Sequence, residues 1–62
     1  MKKLNILVVE DGKSQREMLQ DFLRKEGHTV GEAENGELAI RRVRERQYDL
    51  VLLDYRMPGM DG

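Results

Sequence analysis

The sequence predicts an α/β fold in which three strands and two helices alternate in the order βαβαβ. Two observations lead to this prediction. The first and third apolar segments, residues 4–9 and 50–53, show no polar alternation, as is typical of strands covered on both faces in a parallel sheet. Two amphipathic stretches with helix end signals separate the strand segments, and this alternation implies right-handed crossovers.

The first helix is predicted at about residues 15–26, after the first strand. Ser14 is the expected N-cap, and Glu17 three residues later would complete a capping box. Gly27 is the residue type that commonly follows a helix end in the left-handed conformation. The predicted inner face consists of four apolar residues at helical spacing: Met18, Leu19, Phe22 and Leu23.

The rest of the pattern consists of a short strand, a second helix and the third strand. Residues 28–33 form a strand whose polar content indicates an edge position. Asn35 is the expected N-cap of a helix over about residues 36–47. The predicted inner face of this helix consists of Ala39, Ile40 and Val43. Residues 50–53 form the third strand.

Composition limits the classes of function. At 62 residues the chain forms one small domain at most. It contains no cysteine, which rules out disulfide bonds and fits a reducing cytoplasm. Its net charge of −1 gives no bulk attraction to nucleic acid or to an acidic membrane, and its longest apolar run is too short to cross a bilayer. We therefore expect a cytoplasmic protein with no direct nucleic-acid partner and no membrane partner.

Acidic residues stand where the first and third predicted strands end. Glu10 and Asp11 follow the first strand, and Asp54 follows the third. Because the carboxyl ends of parallel strands lie along one edge of the sheet, the three carboxylates converge if these strands are neighbours. Two unit charges about 4 Å apart repel by about 4 kcal/mol at an effective dielectric of about 20, so the cluster must take up protons or bind a cation. The alternative is that each residue is a solvated loop residue or a partner of a helix dipole.

A partly open site with hard oxygen ligands favours Mg²⁺, which keeps several of its waters. Mg²⁺ beside Asp54 would keep that carboxylate ionised and bring in a phosphorylated substrate. Asp54 is then the candidate nucleophile for an aspartyl phosphate, and Glu10 and Asp11 would hold the metal. Two other phosphate-handling patterns fail: Leu7 stands where a P-loop needs glycine, and Arg56 stands where an Asp-x-Asp motif needs its second aspartate.

Three stretches of the sequence, ILVVEDGKSQREML, AENGE and YDLVLLDYRMPGMDG, resemble the receiver domain of two-component response regulators. The resemblance extends over essentially the whole chain. It implies half of a flavodoxin-like doubly wound parallel sheet, with the three strands in the order 2-1-3. Because receivers run to about twice this length, it also implies that residues 1–62 are a truncated receiver domain, its N-terminal half.

The resemblance also implies roles for the acidic residues. Asp54 is similar to the aspartate that a partner histidine kinase phosphorylates, which would make the chain a phosphoacceptor signalling domain and not an enzyme. Asp11 and Asp54 would bind Mg²⁺ directly, together with the main-chain carbonyl of Arg56, and Glu10 would act through a water. Receivers contact the phosphoryl group with a Ser or Thr and a Lys of their second half, so the activity is expected to be impaired here. The pattern of the first helix resembles receivers attached to transcriptional activators.

Two further hypotheses belong to other classes of function. The first is a self-associating half-domain without phosphotransfer: the third strand, central in complete receivers, would be an edge with unpaired backbone groups, and one helix face would be uncovered. Both features predict a symmetric homodimer. The second is nucleic-acid binding through the arginines of the second helix, which are Arg41, Arg42, Arg44 and Arg46. We expect none, because glutamates interleave these arginines and too few aromatic residues accompany them.

Overall fold

The structure is a computed structural model of the chain, and it describes residues 2–54. Five elements follow one another: β1 (Asn5–Glu10), α1 (Lys13–Lys25), β2 (Thr29–Ala33), α2 (Gly36–Glu45) and β3 (Leu50–Asp54). The strands form a parallel sheet in the order β2-β1-β3. The predicted α/β class and the predicted strand order 2-1-3 are therefore confirmed. Neither helix in this described part of the chain has the length and apolar character needed to span a bilayer.

The centre of the sheet is β1, which lies between the other two strands. Four consecutive side chains of β1 are at most 2% exposed: Ile6, Leu7, Val8 and Val9. Leu7 and Val9 pack with Ala33 of β2 on one face. That face is covered by α2 and the residues after it, through Leu38, Ala39 and Tyr48. Ile6 and Val8 alternate to the opposite face, where α1 contacts the sheet, so the apolar run of β1 is buried on both sides as predicted.

The start of α1 differs from the prediction. The helix begins at Lys13 with Gly12 as its N-cap, so the prediction that Ser14 caps it and forms a capping box with Glu17 is wrong. The N–H group of Gly12 donates instead to the carboxylate of Glu10. The first turn of α1 thus begins directly after the last residues of β1, without a capping side chain.

The end of α1 matches the prediction. Gly27 has a φ of 97°, and its N–H donates to the carbonyl oxygen of Arg24 at 2.9 Å. The next N–H, of His28, donates to the carbonyl of Leu23 at 3.1 Å. These two bonds form a Schellman motif, which satisfies carbonyl groups that the last turn of a helix leaves unpaired.

Only two of the four residues predicted for the inner face of α1 are shielded from solvent. Leu19 and Leu23 are half-buried, but Met18 and Phe22 are 62% and 61% exposed. The helical spacing placed these four residues on one side of α1. The three described strands cover only the part of that side that contacts β1 and β2.

The second helix shows the same difference. The predicted cap is confirmed, because Oδ1 of Asn35 accepts a hydrogen bond from the N–H of Leu38 at 2.9 Å. Ala39 packs on the core as predicted, whereas Ile40 and Val43 are 53% and 45% exposed. The helix ends at Glu45, two residues before the predicted end.

β3 is an edge strand in the described part of the chain. It pairs with β1 on one side, and no strand within residues 2–54 pairs with its other side. Leu50, Val51 and Leu53 are 46%, 41% and 67% exposed. The expectation that both faces of this strand are covered is therefore wrong for residues 2–54. Within the same residues the strand is an edge, as expected, with Val51 and Leu53 exposed and Leu52 half-buried.

Candidate functional site

The structure brings Glu10 and Asp54 together at the carboxyl edge of the sheet. They are the last residues of β1 and β3, and they are paired in register across the two parallel strands. Side chains at paired positions of neighbouring parallel strands lie on the same face. Asp11 follows Glu10 directly and is exposed, whereas Asp54 is half-buried. Arg56, whose carbonyl was the fourth predicted metal ligand, lies outside the described residues.

Glu10 is the most unusual residue of this edge, because a charged residue type is here only 2% exposed. Oε2 accepts a short hydrogen bond of 2.5 Å from the N–H of Gly12. Oε1 is buried and has no hydrogen-bond partner among residues 2–54. A buried polar atom without a partner is rare in folded proteins and points to a missing ligand or water.

The pKa of Glu10 is raised above its ordinary value by these surroundings. The hydrogen bond from Gly12 acts in the opposite direction and lowers the pKa, because it stabilises the ionised form. Burial, the Asp11 side chain, and the negative charges of Asp54 and Asp11 together outweigh it. The site therefore disfavours a third negative charge, and a bound cation would relieve that repulsion.

Asp54 is held from the side by α1. Nε2 of Gln15, in the first turn of the helix, donates to Oδ2 of Asp54 at 3.1 Å. No hydrogen bond within residues 2–54 involves the other oxygen, Oδ1. One carboxylate oxygen thus accepts from an amide, and the other has no hydrogen-bond partner among residues 2–54.

The next residue of α1, Arg16, ties the carboxyl end of β1 to β2. Its Nη1 donates to the carbonyl oxygen of Glu10 at 2.9 Å, and its Nε donates to Oε1 of Glu32 at 2.8 Å. Gln20, one turn later and 4% exposed, donates to the same Glu32 oxygen at 2.9 Å. Arg24 in turn donates to Oε1 of Gln20 at 3.1 Å. The pKa of Glu32 is lowered, chiefly by the hydrogen bond from Arg16, which outweighs the effect of burial.

Sequence reasoning missed the residues of α1 that contact this edge: Gln15, Arg16 and Gln20. One signal was present. Arg16, Gln20 and Arg24 recur at four-residue spacing, which places a polar stripe on one side of the helix. The position of Glu32 on the α1 side of β2 follows only from the strand register, in which it pairs with Val8.

The carboxylates alone do not complete a metal site. Within residues 2–54, no group of three or more His, Cys, Asp or Glu side chains converges closely enough to hold a metal ion. The donors at the edge nevertheless suit Mg²⁺ in kind: they are hard oxygens, and one of them, Oε1 of Glu10, is buried without a partner. Mg²⁺ commonly keeps several waters, so it does not need a complete cage of protein ligands.

Comparison with known families gives the context of this edge. The family described as the response regulator receiver domain matches residues 6–62. The chain belongs to this family. The predicted receiver domain is therefore confirmed, and the chain is a signalling domain of the two-component type. The roles assigned to Asp54, Asp11, Glu10 and the Arg56 carbonyl stay predictions.

Several relatives of this receiver domain are similar over almost its whole length. The transcriptional regulatory protein ResD of Bacillus subtilis is 49% identical over 57 residues, which cover 92% of this chain and 24% of ResD. The transcriptional regulatory protein ZraR of Escherichia coli O157:H7 is 49% identical over 59 residues, 95% of this chain and 13% of ZraR. The sensor histidine kinase AruS of Pseudomonas aeruginosa is 44% identical over 59 residues, 95% of this chain and 6% of AruS. The chain thus spans a quarter or less of these relatives.

Proposed function

We propose that this receiver domain accepts a phosphoryl group on Asp54 from a histidine kinase in the cytoplasm, with Mg²⁺ bound beside it. The observation that carries the proposal is the pairing of Glu10 with Asp54 at the carboxyl edge of the sheet. The buried oxygen Oε1 of Glu10, which has no partner within residues 2–54, supports it, since a carboxylate in this position favours a nearby cation. The similarity to regulators and to a sensor kinase fits the same role.

In this reaction the protein contributes mainly the position of the reacting groups and the stabilisation of negative charge. An oxygen of the ionised Asp54 carboxylate forms the new bond to phosphorus. The bond from phosphorus to the donor's leaving atom breaks, and the electron pair leaves with the donor. The attacking group is already a carboxylate, so no base is needed to activate it.

Each acidic residue has a place in this proposal. Asp11, Asp54 and the Arg56 carbonyl would bind Mg²⁺, and Oε1 of Glu10 would accept a hydrogen bond from one of its waters. When bound, Mg²⁺ offsets negative charge on the phosphoryl oxygens and on the carboxylates. The buried Glu10 would keep that water close to the edge, and the exposed Asp11 would bind the ion from the solvent side.

A small phosphoryl donor tests the proposal without the kinase. The chain is incubated with acetyl phosphate and Mg²⁺, and its intact mass is measured over time. We expect the mass of one phosphoryl group to be added to the wild type but not to Asp54→Asn. The wild type should also stay unmodified when a chelator removes Mg²⁺ before acetyl phosphate is added. The matched control is Asp21→Asn, which changes an exposed aspartate of α1 and should react like the wild type. Equal modification of wild type and Asp54→Asn would overturn Asp54 as the acceptor.

A second candidate function is self-association without phosphotransfer. The observation that favours it is the outer side of β3, which no strand within residues 2–54 pairs with, and where Val51 and Leu53 are 41% and 67% exposed. Backbone groups on such an edge are a template for pairing with another strand. Two copies joined through β3 would form a symmetric homodimer. Sedimentation at micromolar concentration tests this: a dimer supports it, and a monomer contradicts it.

A further inference from the structure

The contact between Gln15 and Asp54 joins two positions that lie 39 residues apart in the sequence. The amide Nε2 of Gln15 donates to Oδ2 of Asp54 at 3.1 Å, and both side chains are half-buried. Within residues 2–54, Gln15 is the one side chain that donates a hydrogen bond to Asp54. None of the roles proposed above for the acidic residues makes use of this amide.

The backbone of Gln15 is held in place by its neighbours in α1. Arg16 binds the carbonyl of Glu10 and the carboxylate of Glu32, on two different strands. The N–H of Arg16 donates to the carbonyl of Gly12 at 2.8 Å, which closes the first turn of the helix. The amide of Gln15 is therefore presented to β3 from a turn that is already anchored to β1 and β2.

We propose that Gln15 is a positioning residue for Asp54: its amide holds Oδ2 and so presents Oδ1 as the attacking oxygen. The inference rests on the proposed function of Asp54 as phosphoacceptor. With acetyl phosphate as donor, Oδ1 forms the bond to phosphorus, and the bond between phosphorus and the acetate oxygen breaks. Acetate leaves with the electron pair, and no proton is transferred.

The hydrogen bond matters because the carboxylate of an aspartate rotates over a broad range of its last torsion angle. A donor on one oxygen restricts that rotation, and bonds to an ionised acceptor are stronger than neutral ones. Phosphoryl transfer depends on the attacking oxygen being in line with the leaving oxygen. Loss of the amide should thus slow the reaction without changing how tightly acetyl phosphate binds, since Gln15 holds Asp54 and not the donor.

The first test does not depend on phosphorylation. The side-chain amide hydrogens of Gln15 are observed by NMR in the ¹⁵N-labelled chain, without any phosphoryl donor. We expect their resonances to shift in Asp54→Ala and to stay in place in Asp21→Ala, which alters an exposed aspartate of the same helix. If the Gln15 amide does not respond to Asp54→Ala, the inference is overturned.

The second test compares rates of modification by acetyl phosphate. Gln15→Met keeps the length and helix propensity of the side chain but removes the donor. We expect its maximal rate to fall by about 5- to 20-fold, with an unchanged half-saturating acetyl phosphate concentration. Gln47→Met, which changes an exposed glutamine outside the site, should react like the wild type.

The outcomes separate this inference from the proposed function. If the wild type and Gln15→Met are modified at the same maximal rate, the positioning role of Gln15 is overturned, but the proposed function of Asp54 is not. A wild type that is not modified at all overturns the proposed function and the positioning role that rests on it. A Gln15→Met variant that changes only the half-saturating concentration also contradicts positioning, because it would mean that Gln15 binds the donor.

Discussion

Glu10 and Asp54 lie directly opposite each other at the ends of two paired parallel strands, and the charge of Asp54 contributes to raising the pKa of Glu10. The backbone register holds these residues at neighbouring positions, so their side chains lie on the same face of the sheet. The protein therefore keeps charges together that repel one another. We therefore expect the edge to respond to cations and to substitutions that change its charge.

Glu10→Gln removes the buried charge while keeping the size of the side chain and an acceptor for the Gly12 N–H. Without Mg²⁺, we expect this variant to unfold at a higher temperature than the wild type, because repulsion from Asp11 and Asp54 is lost. Mg²⁺ at ten times its Kd should stabilise the wild type by about 1.4 kcal/mol and the variant by less. Thermal unfolding followed by circular dichroism, with and without Mg²⁺, measures both effects.

The matched control for this prediction is Glu17→Gln, which removes an exposed carboxylate of α1. It should respond to Mg²⁺ as the wild type does. If the unfolding temperature of the wild type is the same with and without Mg²⁺, there is no cation site at this edge.

Glu32→Gln tests the link between α1 and β2. The folded pKa of Glu32 lies below its ordinary value of 4.5, chiefly because Arg16 donates to it. The ionised carboxylate therefore stabilises the fold fully above that ordinary value, and this contribution is lost as the pH falls through the folded pKa. Since half of the side chain is exposed (50%), we expect a loss of only about 0.5–1 kcal/mol at neutral pH.

Urea unfolding at neutral and at acidic pH measures this difference. The gap between Glu32→Gln and the wild type should narrow as the carboxylate becomes protonated. Glu45→Gln is the control, because Glu45 is 66% exposed and its ion pair with Nη1 of Arg42 is long, at 3.7 Å. Equal losses in the two variants would mean that the contacts of Glu32 with Arg16 and Gln20 add nothing.

Gly31→Ala tests the packing of Tyr48 on β2. A Cβ atom at Gly31 would clash with the Tyr48 hydroxyl, and it would lie 3.1 Å from Cζ of that ring. We expect a loss of about 1–3 kcal/mol in the free energy of unfolding. Adding Tyr48→Phe removes the closest atom, so the double variant should regain part of the loss.

Gly36→Ala is the control for this pair, because a Cβ there would meet no atom within 4 Å. Its effect should stay within about 0.5 kcal/mol, or should favour the helix. Denaturant unfolding of the wild type and these three variants measures all these values. If Gly31→Ala costs no more than Gly36→Ala, Tyr48 does not pack over β2 as described.

Leu53→Lys tests self-association through β3. Leu53 is 67% exposed, and a charge on this strand should prevent another copy from pairing with it. If the wild type sediments as a dimer at micromolar concentration, we expect Leu53→Lys to be a monomer. Met18→Lys, on the equally exposed apolar surface of α1, should remain a dimer. If Met18→Lys is a monomer and Leu53→Lys remains a dimer, the interface lies on α1 and not on β3.

The features that could be predicted from the sequence depend on local patterns. The unbroken apolar run of β1 indicated burial on both faces, and the cap at Asn35 followed from its residue type and place. The start of α1 could not be predicted in this way, because Ser14 and Gly12 are both acceptable cap residues. What distinguishes them is the carboxylate of Glu10, which accepts the N–H of Gly12.

Other features depend on how elements pack, which no local pattern encodes. Periodicity placed Met18 and Phe22 on one face of α1 but could not tell how far the sheet extends beneath them. Similarly, the three acidic residues could be assigned to one edge from strand ends alone. The burial of Glu10 and the contact of Gln15 with Asp54 required the position of α1 over the sheet.

The consecutive residues Gln15 and Arg16 give α1 a mechanical role. Gln15 reaches Asp54 at the end of β3, while Arg16 reaches Glu10 at the end of β1 and Glu32 on β2. A single helical turn therefore forms hydrogen bonds with all three strands. A substitution at Asp54 therefore removes a contact of the same helical turn that also binds β1 and β2.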